Sequence, residues 1–154
     1  MKRVIPFLLV FFLLSVPSLL ASEQETAEML LAWAAQTMEA MKEKGYDMQF
    51  VNPEAAGQIF YLKNQHYIQM EGTFSPGNAF FFLCADGRQA KSVGIQILDE
   101  AGNVVNEHVP GENHAVGVLE PERTGTYYIR IILLETTGVP AAHVGYVLLY
   151  VKTQ

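Results

Sequence analysis

From Asp47 onward the chain is built of short segments rich in β-branched and aromatic residues, separated by glycine, proline and asparagine. The segments are Met48 to Val51, Gln58 to Leu62, Tyr67 to Glu71, Ala79 to Ala85, Val93 to Leu98, Val104 to His108, Ala115 to Leu119, Tyr127 to Leu134 and Val144 to Val151. Ser75-Pro-Gly-Asn78, Asp99-Glu-Ala-Gly-Asn103, Pro110-Gly111 and Thr124-Gly125 read as turns between them. Strands at such short spacing, with no helical period among them, can bury their apolar residues only in an antiparallel sandwich or barrel. The expected fold is therefore mainly β: an antiparallel, jelly-roll-like β-sandwich over residues 46–154. In Tyr127 to Leu134 one face carries Tyr127, Ile129, Ile131 and Leu133, and only Arg130 breaks the apolarity of the other. Such a strand is expected at the centre of a sheet, covered on both sides for much of its length.

One amphipathic α-helix precedes the strands. Between residues 23 and 44, Ala27, Leu30, Leu31, Ala34, Met38 and Met41 collect on one side at about 100° per residue, and Glu25, Glu28, Gln36, Glu39 and Glu43 on the other. Gly45 is a natural stop, with Lys42 and Lys44 beside the negative end of the helix dipole. Residues 22–45 are expected to pack on the chain's own domain. A partner would instead dock on Trp33 and Met29, which flank the apolar stripe.

The first residues carry an address. Lys2 and Arg3 precede an unbroken apolar run from Phe7 to Leu14, and Leu19-Leu20-Ala21-Ser22 offers a small residue for a signal peptidase. This is the secretory order, with residues 1–21 as the signal peptide and cleavage after Ala21. The apolar core is shorter than the roughly 20 residues a spanning helix needs, so no stable membrane insertion is expected after cleavage. The destination is the periplasm or the extracellular space.

Cleavage lowers the formal charge from −6 to −8, because Lys2 and Arg3 leave and no acidic residue does. Nucleic acid, whose phosphates demand basic clusters, is not an expected partner. Cys84 is the sole cysteine, so no internal disulfide forms and the fold must stand on packing alone. Its setting in the apolar run Ala79 to Ala85 is that of a buried small hydrophobe.

Residues from about Gln58 to Val151 resemble the bacterial pre-peptidase C-terminal domain, a secreted β-sandwich module. The resemblance rests on Val93-Gly-Ile-Gln-Ile-Leu-Asp-Glu-Ala-Gly-Asn-Val104, on Pro121-Glu-Arg-Thr-Gly-Thr-Tyr-Tyr-Ile-Arg-Ile131, and on the closing Tyr146-Val-Leu-Leu-Tyr-Val151. It implies an accessory role beside exported enzymes, or binding of matrix proteins or carbohydrate. Some relatives bind calcium, for which Asp86, Asp99 and Glu100 are the candidate ligands here, with Glu112 and Asn113 in another loop.

Catalytic patterns are missing from the residues. His66, His108, His114 and His143 form no i, i+4 pair with a glutamate between, although His108 and His114 flank a turn and could meet across it. Neither a G-x-S-x-G elbow nor a phosphate-binding glycine loop occurs. Phe60, Tyr61, Tyr67, Phe80, Phe81, Phe82, Tyr127, Tyr128, Tyr146 and Tyr150 are available to stack on sugars, but strand alternation sends about half of them inward. The expected function is that of an exported, non-enzymatic binding or accessory protein that recognises a protein or a polysaccharide, without a cofactor. The alternative is an accessory or inhibitor-like subunit of an exported enzyme, docking through helix 23–44.

Overall fold

In the computed structural model, residues 17–153 are described, with side chains from residue 23. Residues 1–16, most of the expected signal peptide, lie outside the described residues. A helix, α1 (Pro17–Glu43), is followed by β1 (Met48–Phe50), β2 (Gly57–Lys63), β3 (His66–Phe74), β4 (Asn78–Ala85), β5 (Ala90–Leu98), β6 (Val104–His108), β7 (His114–Leu119), β8 (Gly125–Thr136) and β9 (Ala141–Lys152). Every strand pairing is antiparallel. One sheet runs β1-β9-β4-β7, with β2 also on β9, and the other runs β3-β8-β5-β6. The expected sandwich is therefore the observed one.

Between the sheets lies the main core. Phe74, Phe80, Phe82, Val93, Ile95, Ile97, Ile129, Ile131, Leu133 and Val144 interdigitate there, and Cys84 is buried among them. Burial pushes the Cys84 thiol far above its ordinary value, so it is neither a ready thiolate nor a reactive nucleophile.

The two sheets differ in what covers their outer faces. On the first, α1 sets Leu30 and Ala34 against Leu83, Ala85, Val147 and Leu149, with Met29, Trp33, Met38 and Met41 packed around them. This second core explains why β4 reads as a continuous apolar run. Phe80, Phe82 and Cys84 face one core, whereas Leu83 and Ala85 face the other. Gly145 on β9 makes room for the helix, because a Cβ there would lie 2.7 Å from the Leu30 Cδ1.

The helix begins earlier than the periodicity indicates, so the Ala21–Ser22 junction lies within it. Its inward line is also narrower than the expected stripe. Thr26, Leu30 and Ala34 are buried at i, i+4 spacing, while Leu31 is 51% exposed. A flat sheet meets one row of a helix, and Leu31 falls on the flank of that row. No helix among the described residues is long and apolar enough to cross a membrane.

Two outer strands close one side of the sandwich through side chains. β7 ends the first sheet and β6 the second. His108 Nδ1 accepts from the Val116 amide at 2.9 Å, and Asn106 Oδ1 accepts from the Val118 amide at 3.0 Å. The free amides of an edge strand are thereby paired rather than left open to another chain.

Candidate functional site

Asn106 and His108 reach inward from β6, so the residue between them, Glu107, faces outward. Glu107 is opposite Gln96 on β5, Gln96 is opposite Arg130 on β8, and Arg130 is opposite Gln69 on β3. Register alone thus lays a row of four polar side chains, Gln69, Arg130, Gln96 and Glu107, across every strand of the second sheet. Tyr67 and Tyr128 stand two residues to either side of that row, on β3 and β8. Tyr67 is 55% exposed.

The Arg130 guanidinium is held in place. Its Nε donates to Gln69 Oε1 at 2.7 Å, and its Cζ lies 5.3 Å from the centre of the Tyr67 ring. A cation over an aromatic face is worth about 0.5–1 kcal/mol at an exposed position, and Gln69 fixes the plane of the fork. The remaining N–H groups of Arg130, the Gln96 amide and the Glu107 carboxylate supply planar donors and acceptors in one line. β8 is central, as expected, but it is not covered on both sides. Tyr128, Arg130, Ile132 and Leu134 remain half-buried, because among the described residues no helix lies over this sheet.

A second polar cluster sits where α1 crosses the loop after β4. Thr26 and Asp86 are buried, as is His143 on β9. The Gly87 amide donates to Thr26 Oγ1 at 3.1 Å, and Arg88 pairs with Glu25 on the surface at 3.1 Å. Asp86 Oδ1 accepts from the amides of Arg88 and Gln89. Asp86 Oδ2 and His143 Nδ1 are buried without a hydrogen-bond partner among the described residues. Burial holds His143 below the ordinary histidine value, opposed by the charges of Glu23 and Asp86. The Tyr61 ring lies over it at 4.9 Å.

The candidate calcium ligands do not assemble. Asp86 lies just before β5 and Asp99 just after it, at opposite ends of the strand, and Glu100 adjoins Asp99. Calcium takes about six to eight oxygens within about 2.6 Å, which these three residues cannot provide together. Asp99 is a turn residue: its two oxygens accept from the Asn103 amide at 2.8 Å and from the Asn103 side chain at 3.0 Å. Those bonds to Asn103, the side-chain one foremost, hold its carboxyl below the usual range. Glu112 pairs with His114 at 3.2 Å, and Asn113 donates to the Asp86 carbonyl. Among the described residues no group of three or more histidine, cysteine, aspartate or glutamate side chains is placed to hold a metal ion.

Trp33 and Met29, the candidate docking residues, are half-buried against the chain's own sheet. The Trp33 ring meets the His114 ring edge-on at 5.3 Å. His108 and His114 are likewise engaged separately, one with the Val116 amide and the other with Trp33 and Glu112. Sequence reasoning singled out Arg130 only as an exception. It missed the row, because only the register between the four strands brings those residues side by side. It also missed Thr26, which stands beside Glu25 with no motif around it, and gave His143 no role, because its neighbours in sequence are apolar.

No family model matches this chain, and no curated protein matches it. Its fold is similar to several solved structures. One is the pre-peptidase C-terminal domain of a collagenase from Bacillus anthracis, with a TM-score of 0.42, 10% identity, and 60% of this chain and 88% of that one covered. Another is a periplasmic inhibitor of g-type lysozyme from Aeromonas hydrophila, with a TM-score of 0.42, 12% identity, and 72% and 90% covered. A third is a low-affinity xylan-binding module from Roseburia intestinalis, with a TM-score of 0.40, 15% identity, and 71% and 86% covered. The likeness is one of fold.

Proposed function

We propose that this protein is an exported, non-enzymatic β-sandwich that binds polysaccharide on the outer face of the β3-β8-β5-β6 sheet. The observation that carries the reading is the cross-strand row Gln69-Arg130-Gln96-Glu107, flanked by Tyr67 and Tyr128. Sugar rings offer hydroxyl pairs to planar amide, guanidinium and carboxylate groups, and apolar C–H faces to tyrosine rings. A chain of sugars lying along such a row would meet both kinds of group without entering a deep pocket. The alternative, docking on a partner enzyme through the helix, is less well supported, since Leu30, Ala34, Trp33 and Met29 are already engaged with the sheet beneath.

Retention of the purified exported protein on cellulose, xylan, chitin and peptidoglycan tests the reading. At least one should retain the protein, with Tyr67→Ala and Arg130→Ala each weakening binding about tenfold, the equivalent of about 1.4 kcal/mol. Tyr46→Ala, an exposed tyrosine beyond the end of α1, should leave binding unchanged. Retention by none of the four, or retention insensitive to both variants of the open face, overturns the proposal.

A further inference from the structure

The Asp86 carboxylate is completely buried, yet among the described residues only one of its oxygens is engaged. Burying an ionised group without full pairing is expensive. The neighbouring cation does not relieve it, because the Arg88 guanidinium turns outward to Glu25 at 3.1 Å. We infer that the buried Asp86 oxygen is the acceptor for the new amino terminus that signal-peptide cleavage creates at Ser22. The inference rests on the export reading.

Position on the helix supports it. The loop that carries Asp86 presses on the α1 backbone: a Cβ on Gly87 would lie 2.9 Å from the Glu25 carbonyl carbon and 3.0 Å from the Thr26 nitrogen. Ser22 precedes Thr26 by four residues in the same helix. Its nitrogen therefore lies on the same face, about 6 Å along the axis. Glu23, which acts on His143 together with Asp86, belongs to the same neighbourhood.

Cleavage changes what that nitrogen is. In the precursor it is an amide within a continuous helix. Hydrolysis of the Ala21–Ser22 peptide bond consumes one water and leaves a carboxylate on Ala21 and an ammonium on Ser22, the acid's proton ending on the amine. The same step strips the first-turn amides of the shortened helix of their upstream carbonyl partners. An ammonium at a helix start is opposed by the dipole, so the buried acid beside it supplies the compensation that the helix cannot. Processing would then lock α1 onto the sheet, and the mature chain would be more firmly closed than one with residues ahead of Ser22.

The test uses protein exported from the full-length precursor, with its N-terminus read by mass spectrometry. It is compared with a variant carrying a glycine inserted between Ala21 and Ser22, so that the amine begins one residue too early, and each is prepared with and without Asp86→Asn. The insertion should lower Tm by about 5 °C when Asp86 is present and leave it unchanged when Asp86 is asparagine. Equal shifts in both backgrounds, or no shift in either, overturn the inference. So does an Asp86→Asn effect that disappears in a His143→Asn background, which would make the histidine the partner instead. An exported chain that does not begin at Ser22 refutes the cleavage point itself, an outcome separate from the Tm comparison.

Discussion

His143 illustrates how a single buried side chain links this fold to pH. Its ring lies under Tyr61 on β9, with Glu23, Thr26 and Asp86 as its polar surroundings. Burial depresses its folded-state value below that of the unfolded chain, despite the opposing pull of Glu23 and Asp86. Over the interval between those two values the unfolded chain binds the extra proton and the folded chain does not. The contribution is therefore complete above the unfolded value of about 6.5 and is lost as pH falls through the folded one. Urea unfolding of the wild type should show stability declining below about pH 6.5, and His143→Gln should flatten that decline. A decline of the same size in the variant would assign it to the carboxylates instead. None of this was legible from the residues, because His143 stands in Ala141-Ala-His-Val-Gly145 with no charged neighbour in sequence. Its partners come from α1 and from the loop after β4, and only the folded chain assembles them. Asp86 was legible as an acid near a loop, which is the signature of a surface ligand. Its burial follows from the crossing of α1, for which no local pattern exists.

The elements themselves were written plainly. β4 and β8 announce their burial differently. Ala79 to Ala85 is apolar throughout because α1 covers one face and the second sheet the other, whereas Arg130 interrupts β8 because no described element covers its outer face. What periodicity could not supply was the register between strands, since a period of two is the same for every alignment. The row Gln69-Arg130-Gln96-Glu107 exists only once four strands are aligned. The helix was located with its apolar side in roughly the right place, but one flank was misjudged. Leu31 lies on the apolar stripe by angle and is exposed by contact, because the sheet admits one row of side chains. The two leucines should therefore respond differently. Leu30→Ala should cost about 3 kcal/mol in urea unfolding, as expected for a leucine removed from a packed core, while Leu31→Ala should stay within about 0.5 kcal/mol. Equal losses would mean that the helix seats on a different face.

At the scale of the molecule the governing feature is asymmetry. Two sheets share one core, side chains of β6 seal the edge of β7, and among the described residues α1 closes the outside of one sheet and leaves the other open. The open sheet is left with two tyrosines and a line of planar polar groups facing outward. The central claim is that this open face, and not the helix, meets the ligand. Nuclear magnetic resonance of the labelled protein tests it most directly, on addition of a soluble oligosaccharide cut from whichever polysaccharide retains the protein. The account predicts shifts confined to Tyr67, Gln69, Gln96, Glu107, Tyr128 and Arg130 and their strand neighbours. Shifts centred on Met29, Leu31 and Trp33, with the β8 signals unmoved, would contradict it.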